Sequence, residues 1–330
     1  MAKKDENKEE LKSKLDQAIK KFESTYGKGS IISGNNSTYD LEVISSGSLL
    51  INIATNIGGI PVGKLIEILG MESCGKSTFT LMIIAEFQKA GKKCVLIDYE
   101  QSFDKEYAKT LEVIVEDLII VQPNCQEDGY NMAQALIETG EVGLIVIDSH
   151  TAALPKKIVD GDVGENALGL QAKINSTALG KIKPLLRDNK CTMIAISQIR
   201  QQIGAYGDPN QSTGGLGYKF YSDMRFKFSK TVEKEKDQNK TTIEIIKSKC
   251  GNPFGKAVCN ILWGIGIDKV QEYIDCAVEL GLLEKKAAGW YVISEDSKVQ
   301  GDEALKVFLG DNPGYYEDLQ KKVLDKLGIK

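Results

Sequence analysis

The residues with the most chemical content lie in one octet. Gly70-Met71-Glu72-Ser73-Cys74-Gly75-Lys76-Ser77 fits the pattern G-x-x-x-x-G-K-[ST], with Thr78 following. Successive main-chain N–H groups in such a loop wrap an anionic phosphate, and the N-terminus of the helix behind it adds a positive dipole end. Gly70 and Gly75 let the backbone approach closely. Lys76 is expected to reach the β- and γ-phosphates, and the Ser77 hydroxyl is placed to hold Mg²⁺. A chance match anywhere in the 330 residues has odds of roughly one per cent, and the predicted strand before and helix after lower them further.

Two acidic strand ends complete a nucleotide site. Leu144-Ile145-Val146-Ile147-Asp148-Ser149 is an apolar strand ending in a carboxylate, the Walker B pattern, which makes Asp148 the expected Mg²⁺ partner. Asp98-Tyr99-Glu100 ends the strand after the phosphate loop's helix, and Glu100 is the candidate general base that polarises an attacking water. His150, the only histidine, reads as local hydrogen-bonding structure.

These groups need elements to position them. Lys64–Leu69 reads as a strand, Lys76–Ala90 as a helix closed by Gly91, and Cys94–Asp98 as the next strand. Helix from about 105 to 111, a short strand 119–121, helix 129–138, and strands 144–148 and 192–197 follow. Continuous apolar strands suit a sheet covered on both faces, as in parallel α/β folds. Met224–Phe228 and Thr242–Ile246 flank the charged stretch 230–240 as a hairpin with a solvated tip. Helix 270–280, a strand 290–293 and helices about 300–309 and 315–327 form a small α+β lobe. At the other end, Leu11, Leu15, Ala18, Ile19 and Phe22 give residues 5–24 the stripe of one amphipathic helix. That stripe can lie on its own core or on a neighbouring subunit.

Composition excludes several classes. With 42% hydrophobic and 27% charged residues, the chain can bury a core and is neither disordered nor collagenous. No apolar run approaches the ~20 residues of a membrane helix. The highly charged start does not resemble a signal peptide, so a reducing cytoplasmic setting is expected. Seven cysteines without CxxC or zinc spacing read as buried free thiols. One histidine leaves no basis for a histidine metal site or a Ser-His-Asp triad. A net charge of −4 argues against a uniformly basic nucleic-acid binder but leaves a local basic stripe open.

The ordered set of motifs resembles the bacterial RecA recombinase family from about Lys12 to Leu327. It comprises Tyr26-Gly27-Lys28-Gly29-Ser30, Ile44-Ser45-Ser46-Gly47-Ser48, the phosphate loop, Asp98-Tyr99-Glu100 with Asp104 and Tyr107, Asp148-Ser149, and Ser197-Gln198-Ile199-Arg200. Thr213-Gly214-Gly215, Lys219-Phe220-Tyr221 and Lys247-Ser248-Lys249 with Pro253-Phe254 complete it. The resemblance implies an α/β P-loop NTPase core of RecA-like type. A central, mostly parallel sheet would occupy residues 37–268, between an N-terminal helix arm (1–36) that serves polymerisation and a C-terminal α+β lobe (269–330). It implies a DNA-dependent ATPase that forms ATP-driven helical filaments of its own copies on single-stranded DNA, pairs that strand with homologous duplex DNA and exchanges strands. Family members often promote self-cleavage of a transcriptional repressor, a further implied partner.

Residue roles follow by motif position. Asp104 and Tyr107 look like adenine contacts, with Trp263 a further aromatic near the nucleotide. Gln198 looks like the γ-phosphate sensor, and Lys247 and Lys249 like a pair reaching the neighbouring protomer's γ-phosphate. Loops at about 156–168 and 199–213 are expected to face the filament axis, disordered until a ligand orders them. Gly161, Lys173, Arg200, Gly214 and Gly215 would contact the DNA backbone without reading sequence. Three departures stand out: Lys173 where the family commonly has Arg, Gly180 where a basic residue is frequent, and no strongly acidic tail, so that restraint of duplex binding by a tail is expected to be absent or altered. Two other readings share the phosphate loop. A small-molecule kinase would need an arginine cluster, and the chain has only Arg187, Arg200 and Arg225, dispersed. A filament-forming P-loop ATPase that does not recombine is the remaining alternative.

Overall fold

The computed structural model describes residues 16–21, 24–25, 41–162, 169–201, 210–212, 215–233, 237–294 and 297–328. By contacts the chain divides into Met1–Leu41 and Glu42–Lys330. In the first unit residues 16–21 (α1) and 24–25 are helical, with Ala18 and Ile19 half-buried. Leu11, Leu15 and Phe22 of the expected stripe lie outside the described residues.

The second unit opens with β1 (Val43–Ile44) paired to β2 (Ile60–Pro61) around α2 (Leu49–Ala54). The main run is β3 (Leu65–Gly70), α3 (Lys76–Lys89), β4 (Lys93–Asp98), α4 (Lys105–Thr110), β5 (Leu118–Val121), α5 (Gln126–Glu138) and β6 (Val142–Asp148). It continues through α6 (Lys156–Val159), α7 (Leu170–Asp188), β7 (Thr192–Gln201), β8 (Asn210–Ser212) and α8 (Gly217–Tyr221). β9 (Met224–Glu233), β10 (Gln238–Ser248), β11 (Lys256–Leu262) and β12 (Gly266–Ile267) close it.

These strands make one sheet in the order β12-β11-β10-β9-β3-β7-β6-β4-β5, with β8 on the end of β7. From β9 to β5 every pairing is parallel, and β10 to β12 are added antiparallel. All residues of β3 and β6 are buried, because helices cover both faces, and this is why their sequences are unbroken apolar runs. One face packs Ile66, Ile68, Phe226 and Phe228 under α3; the other packs Leu65, Val95 and Ile97 under α5 and α7.

Phe79 of α3 is fully buried, with its ring 5.8 Å from Phe226 and 5.5 Å from Phe228. Phe79→Ala is expected to lower stability by about 3–5 kcal/mol, read by urea unfolding of the purified chain. A loss under about 1 kcal/mol would show that this cluster is not central to the core.

The C-terminal lobe holds α9 (Lys269–Glu279), β13 (Glu284–Lys286), β14 (Trp290–Ser294), β15 (Ser297–Gln300), α10 (Asp302–Asp311) and α11 (Pro313–Leu327). Its core of Ile274, Tyr291, Leu305, Leu309 and Leu319 also takes in Leu49 of α2. Glu272 of α9 accepts hydrogen bonds from the Ser48 hydroxyl (2.5 Å) and the Leu49 N–H (2.8 Å), fastening the lobe to α2.

Three stretches of the chain depart from the sequence expectation. β14 is the centre of a three-stranded sheet; β13 (Glu-Lys-Lys) and β15 (Ser-Lys-Val-Gln) are too polar to signal strand by apolar pattern. Within the expected loop 199–213, β7 continues to Gln201 and pairs antiparallel with β8, Ile199 opposite Ser212. Residues 156–159 of the other expected loop form a helical turn. Residues 163–168, 202–209 and 213–214 lie outside the described residues. All seven cysteines are free, six of them buried.

Candidate active site

The phosphate loop joins β3 to α3 as the sequence requires. Gly75 caps the helix at φ +91°, where a Cβ would also lie 2.2 Å from Ile261 Cδ1. At Gly70 a Cβ would meet the Cys74 sulfur at 2.7 Å and the Phe228 carbonyl at 2.8 Å. Lys76 is buried, its Nζ donating to the carbonyls of Gly70 (3.0 Å) and Met71 (2.6 Å) across the loop. Three outer contacts escaped the sequence reading. Lys230 Nζ (2.9 Å) and Asn239 Nδ2 (3.3 Å) donate to the Ser73 carbonyl, and the Thr241 hydroxyl donates to the Cys74 carbonyl at 3.4 Å. The hairpin of β9 and β10 thus braces the loop from outside. Those residues are far from the motif in sequence and only strand pairing brings them there.

Asp98 and Asp148 end neighbouring parallel strands in register. The Ser77 hydroxyl donates to Asp148 Oδ2 at 2.8 Å. Burial pushes the Asp148 carboxyl up to about 6; Glu100 and Asp98 add to this, and the Ser77 hydrogen bond and Lys76 oppose it. Asp98 Oδ2 accepts from the Phe103 N–H (3.2 Å), while its buried Oδ1 has no hydrogen-bond partner. Crowded carboxylates, one with an orphaned oxygen, beside a serine hydroxyl form a donor set that fits a hard divalent cation. Among the described residues no group of three His, Cys, Asp or Glu could hold a metal by itself.

Glu100 lies just beyond β4 and is exposed. Its Oε1 accepts from the Ser149 hydroxyl (2.5 Å) and from Gln198 Nε2 (2.7 Å), so two sequence candidates, Glu100 and Gln198, meet directly. In sequence Ser149 is marked only as a neighbour of Asp148. Its hydroxyl is a second anchor for the carboxylate.

A cavity of about 290 Å³ borders the loop, lined by Gly75, Lys76, Thr78, Tyr107 and Trp263. The Tyr107 hydroxyl lies 2.8 Å from Thr78 Oγ1. Asp104 caps α4, accepting from the N–H groups of Glu106 (2.9 Å) and Tyr107 (3.0 Å), and so fixes the helix that carries Tyr107. Trp263 is 47% exposed on the cavity's rim.

Lys247 and Lys249 are elsewhere. Lys247 pairs with Arg225, which pairs with Glu67, three residues back along β3 from Gly70 and two strands across. That places Lys247 roughly 14 Å from the start of its own phosphate loop by strand geometry, beyond a lysine's reach. Its Nζ donates to the carbonyls of Lys219 (2.6 Å) and Phe220 (3.1 Å). Burial first, then Lys249, Arg225 and Lys183, hold its pKa below the usual value, with Asp223 opposing. Lys249 falls one residue past β10 and is exposed, so only Lys247 belongs to the strand.

Of the five DNA candidates, Lys173 is exposed on α7 and, with Thr177 and Lys181, borders a groove of about 300 Å³ against α5. Gly215 has φ +86° and a Cβ there would lie 2.4 Å from Ala172 Cβ, so glycine locks the start of α8 against α7. Gly161 follows α6, Arg200 pairs through its backbone with Gln211, and Gly214 lies outside the described residues. At Gly180 a Cβ would lie 3.1 Å from the Tyr221 hydroxyl, space that a basic side chain does not occupy in this chain.

The family model for the RecA N-terminal domain matches residues 13–268, and that for the RecA C-terminal domain matches 271–328. The chain belongs to the RecA family. It is 39% identical to Protein RecA of Nocardioides sp. over 322 residues, covering 96% of this chain and 91% of that protein. Protein RecA of Streptomyces venezuelae is also 39% identical over 322 residues, and that of Acidothermus cellulolyticus 37% over 321. A RecA P-loop core with a large, mostly parallel sheet and a small C-terminal lobe is therefore the architecture here. Among the described residues no helix is long and apolar enough to cross a membrane.

Proposed function

We propose that the chain binds ATP with Mg²⁺ at the phosphate loop, hydrolyses it in response to single-stranded DNA, and as a helical filament pairs that strand with homologous duplex and exchanges strands. It is an ATP hydrolase of recombination and repair. The observation that carries the reading is the grip on Glu100: its carboxylate, beside the phosphate loop, is held by Ser149 and by Gln198, and Gln198 stands on the strand that runs into the expected DNA segment.

The chemistry follows from those positions. Main-chain N–H groups of residues 71–77 wrap the phosphates, and the Lys76 ammonium leaves the Gly70 and Met71 carbonyls to meet the β- and γ-oxygens. Ser77 and Asp148 are the protein oxygens for Mg²⁺, whose chemistry is to neutralise charge developing on the phosphates. Tyr107, fixed by Asp104, takes the adenine face, with Trp263 on the rim. Glu100 orients and polarises the attacking water. When a γ-phosphate is present its oxygens compete with Glu100 for the Gln198 amide, and β7 carries that exchange toward residues 199–213.

Lys247 and Lys249 lie too far to serve their own nucleotide, and this distance supports a role on the next protomer's γ-phosphate. That arrangement demands a head-to-tail interface, which generates a filament when it does not close. Lys173, Arg200 and backbone N–H groups near Gly161, Gly214 and Gly215 contact DNA phosphates, leaving the homology test to base pairing. The N-terminal arm serves polymerisation, and a reducing cytoplasm suits seven free thiols.

Steady-state ATP turnover with and without single-stranded DNA tests the reading. Strong stimulation that falls steeply with added salt is expected, since each neutralised phosphate releases counterions. Equal turnover with and without DNA would overturn it. Strand invasion with homologous but not heterologous duplex separates a recombinase from a filament ATPase that does not recombine.

A further inference from the structure

His150 belongs to a second grip directly behind the first. Ser149 and His150 follow directly after β6, and Ser197 and Gln198 are consecutive on the adjacent β7. Ser149 and Gln198 face Glu100. Their neighbours bond to each other: His150 Nε2 lies 2.5 Å from Ser197 Oγ. The Ser197 hydroxyl donates onward to Glu67 Oε1 (2.7 Å), and Arg225 Nε donates to Glu67 Oε2 (2.5 Å). Having spent its one proton on Glu67, Ser197 can only accept from His150, so the imidazole carries its hydrogen on Nε2. All donors in the chain point at Glu67, whose charge Arg225 balances.

The same residue touches the roots of both expected DNA segments. Its ring stacks on Tyr218 of α8, centroids 4.0 Å apart, and α8 begins just after residues 199–213. Its carbonyl accepts from Gln171 Nε2 (3.2 Å), which also donates to the Ala153 carbonyl (2.9 Å), and α7 begins just after residues 156–168. The Tyr218 hydroxyl is 2.8 Å from that of Tyr130, which donates to Asn175 of α7 at 2.6 Å. His150, Ser197, Glu67 and Tyr218 are all buried.

We propose that His150 is a positioning residue for DNA-stimulated hydrolysis: through Ser197, Tyr218 and Gln171 it ties the Ser149–Glu100–Gln198 grip to α7 and α8, so that DNA on the two segments sets the geometry of Glu100. This rests on the reading of the site as a DNA-dependent ATPase. Packed interiors shift between discrete arrangements, and a hydrogen bond between rear neighbours fixes the register of the front pair. When DNA repositions α7 and α8, the imidazole moves with them and carries Ser149 and, through Ser197, Gln198.

The test compares the parent with Ser197→Ala, His150→Phe and His150→Gln, measuring DNA-free turnover, DNA-stimulated turnover, ATP affinity, single-stranded DNA binding and melting temperature. Phe keeps the stack on Tyr218 and loses the hydrogen bond, while Gln offers an amide donor near the Nε2 position. Ser197→Ala and His150→Phe are expected to lower the ratio of stimulated to DNA-free turnover about tenfold, the equivalent of one buried hydrogen bond to a charge-linked partner. ATP affinity and DNA-free turnover stay within about twofold, and His150→Gln recovers most of the ratio. If His150→Phe does not fold, Ser197→Ala, which loses one hydroxyl, decides. An unchanged ratio, or a parallel fall of both rates, overturns the proposal. Absence of DNA stimulation in the parent chain would instead overturn the functional reading beneath it.

Discussion

Glu100→Gln is expected to stop ATP hydrolysis while leaving ATP binding and DNA filaments intact, with turnover falling by about 10²- to 10⁴-fold. The amide oxygen of Gln can still accept from Ser149 and Gln198, so the grip persists and only basicity is lost. Single-turnover hydrolysis, with nucleotide affinity measured in parallel by a fluorescent ATP analogue, reads the two effects separately. A variant that fails to bind ATP would make Glu100 a structural residue or a metal ligand. A variant with parent turnover would place the base elsewhere.

Lys76→Ala carries the other large effect. The ammonium sits within the loop on two carbonyls, Gly70 and Met71, and is the phosphate site's own cation. Removing a preorganised donor to charge that develops in the transition state lowers turnover by about 10²- to 10³-fold, and loss of ground-state attraction to the γ-phosphate weakens ATP binding as well. Rate and affinity together check it; normal turnover would refute the assignment of the loop. The two variants are therefore distinguishable, one binding ATP without cleaving it and the other deficient in both.

How much of this was legible in the sequence depends on the range of the forces involved. The loop at 70–77 and the acidic strand ends at Asp98 and Asp148 are local patterns, and the buried parallel strands announce themselves as apolar runs because helices cover both sheet faces. β13 and β15 carry almost no apolar signal and exist only because β14 needs partners for its backbone groups. The continuation of β7 onto β8 was hidden for the same reason: Gln, Asn and Ser in a polar stretch look like loop. Within the site, Glu100 and Gln198 are each named by their motifs, but their hydrogen bond is not legible there. Lys230, Asn239 and Thr241 went unseen because they reach Ser73 and Cys74 through sheet pairing across more than 150 residues. His150 read correctly as hydrogen-bonding structure, but its place between β7, α7 and α8 is a tertiary fact.

Position on the sheet bears on the proposal that two protomers share one nucleotide. The phosphate loop leaves the carboxyl end of β3, and Lys247 and Lys249 lie toward the other end, near the Arg225–Glu67 and Lys183–Asp223 ion pairs. In the proposed filament, head-to-tail stacking would bring the phosphate loop of one protomer to the lysines of the next, with the γ-phosphate between them. On that proposal Gln198 would couple nucleotide to DNA within a protomer, and the lysines would couple it between protomers.

Mixing two inactive variants measures that shared nucleotide most directly. Lys76→Ala keeps its lysine pair and lacks a working phosphate loop, while the double variant Lys247→Ala/Lys249→Ala has the reverse. Each alone should be nearly inactive on single-stranded DNA. An equal mixture should recover turnover toward about a quarter of the parent rate, because randomly ordered head-to-tail contacts join an intact loop to an intact lysine pair that often. Turnover that stays at zero across all mixing ratios, or a lysine double variant as active as the parent, would contradict an ATP held between protomers.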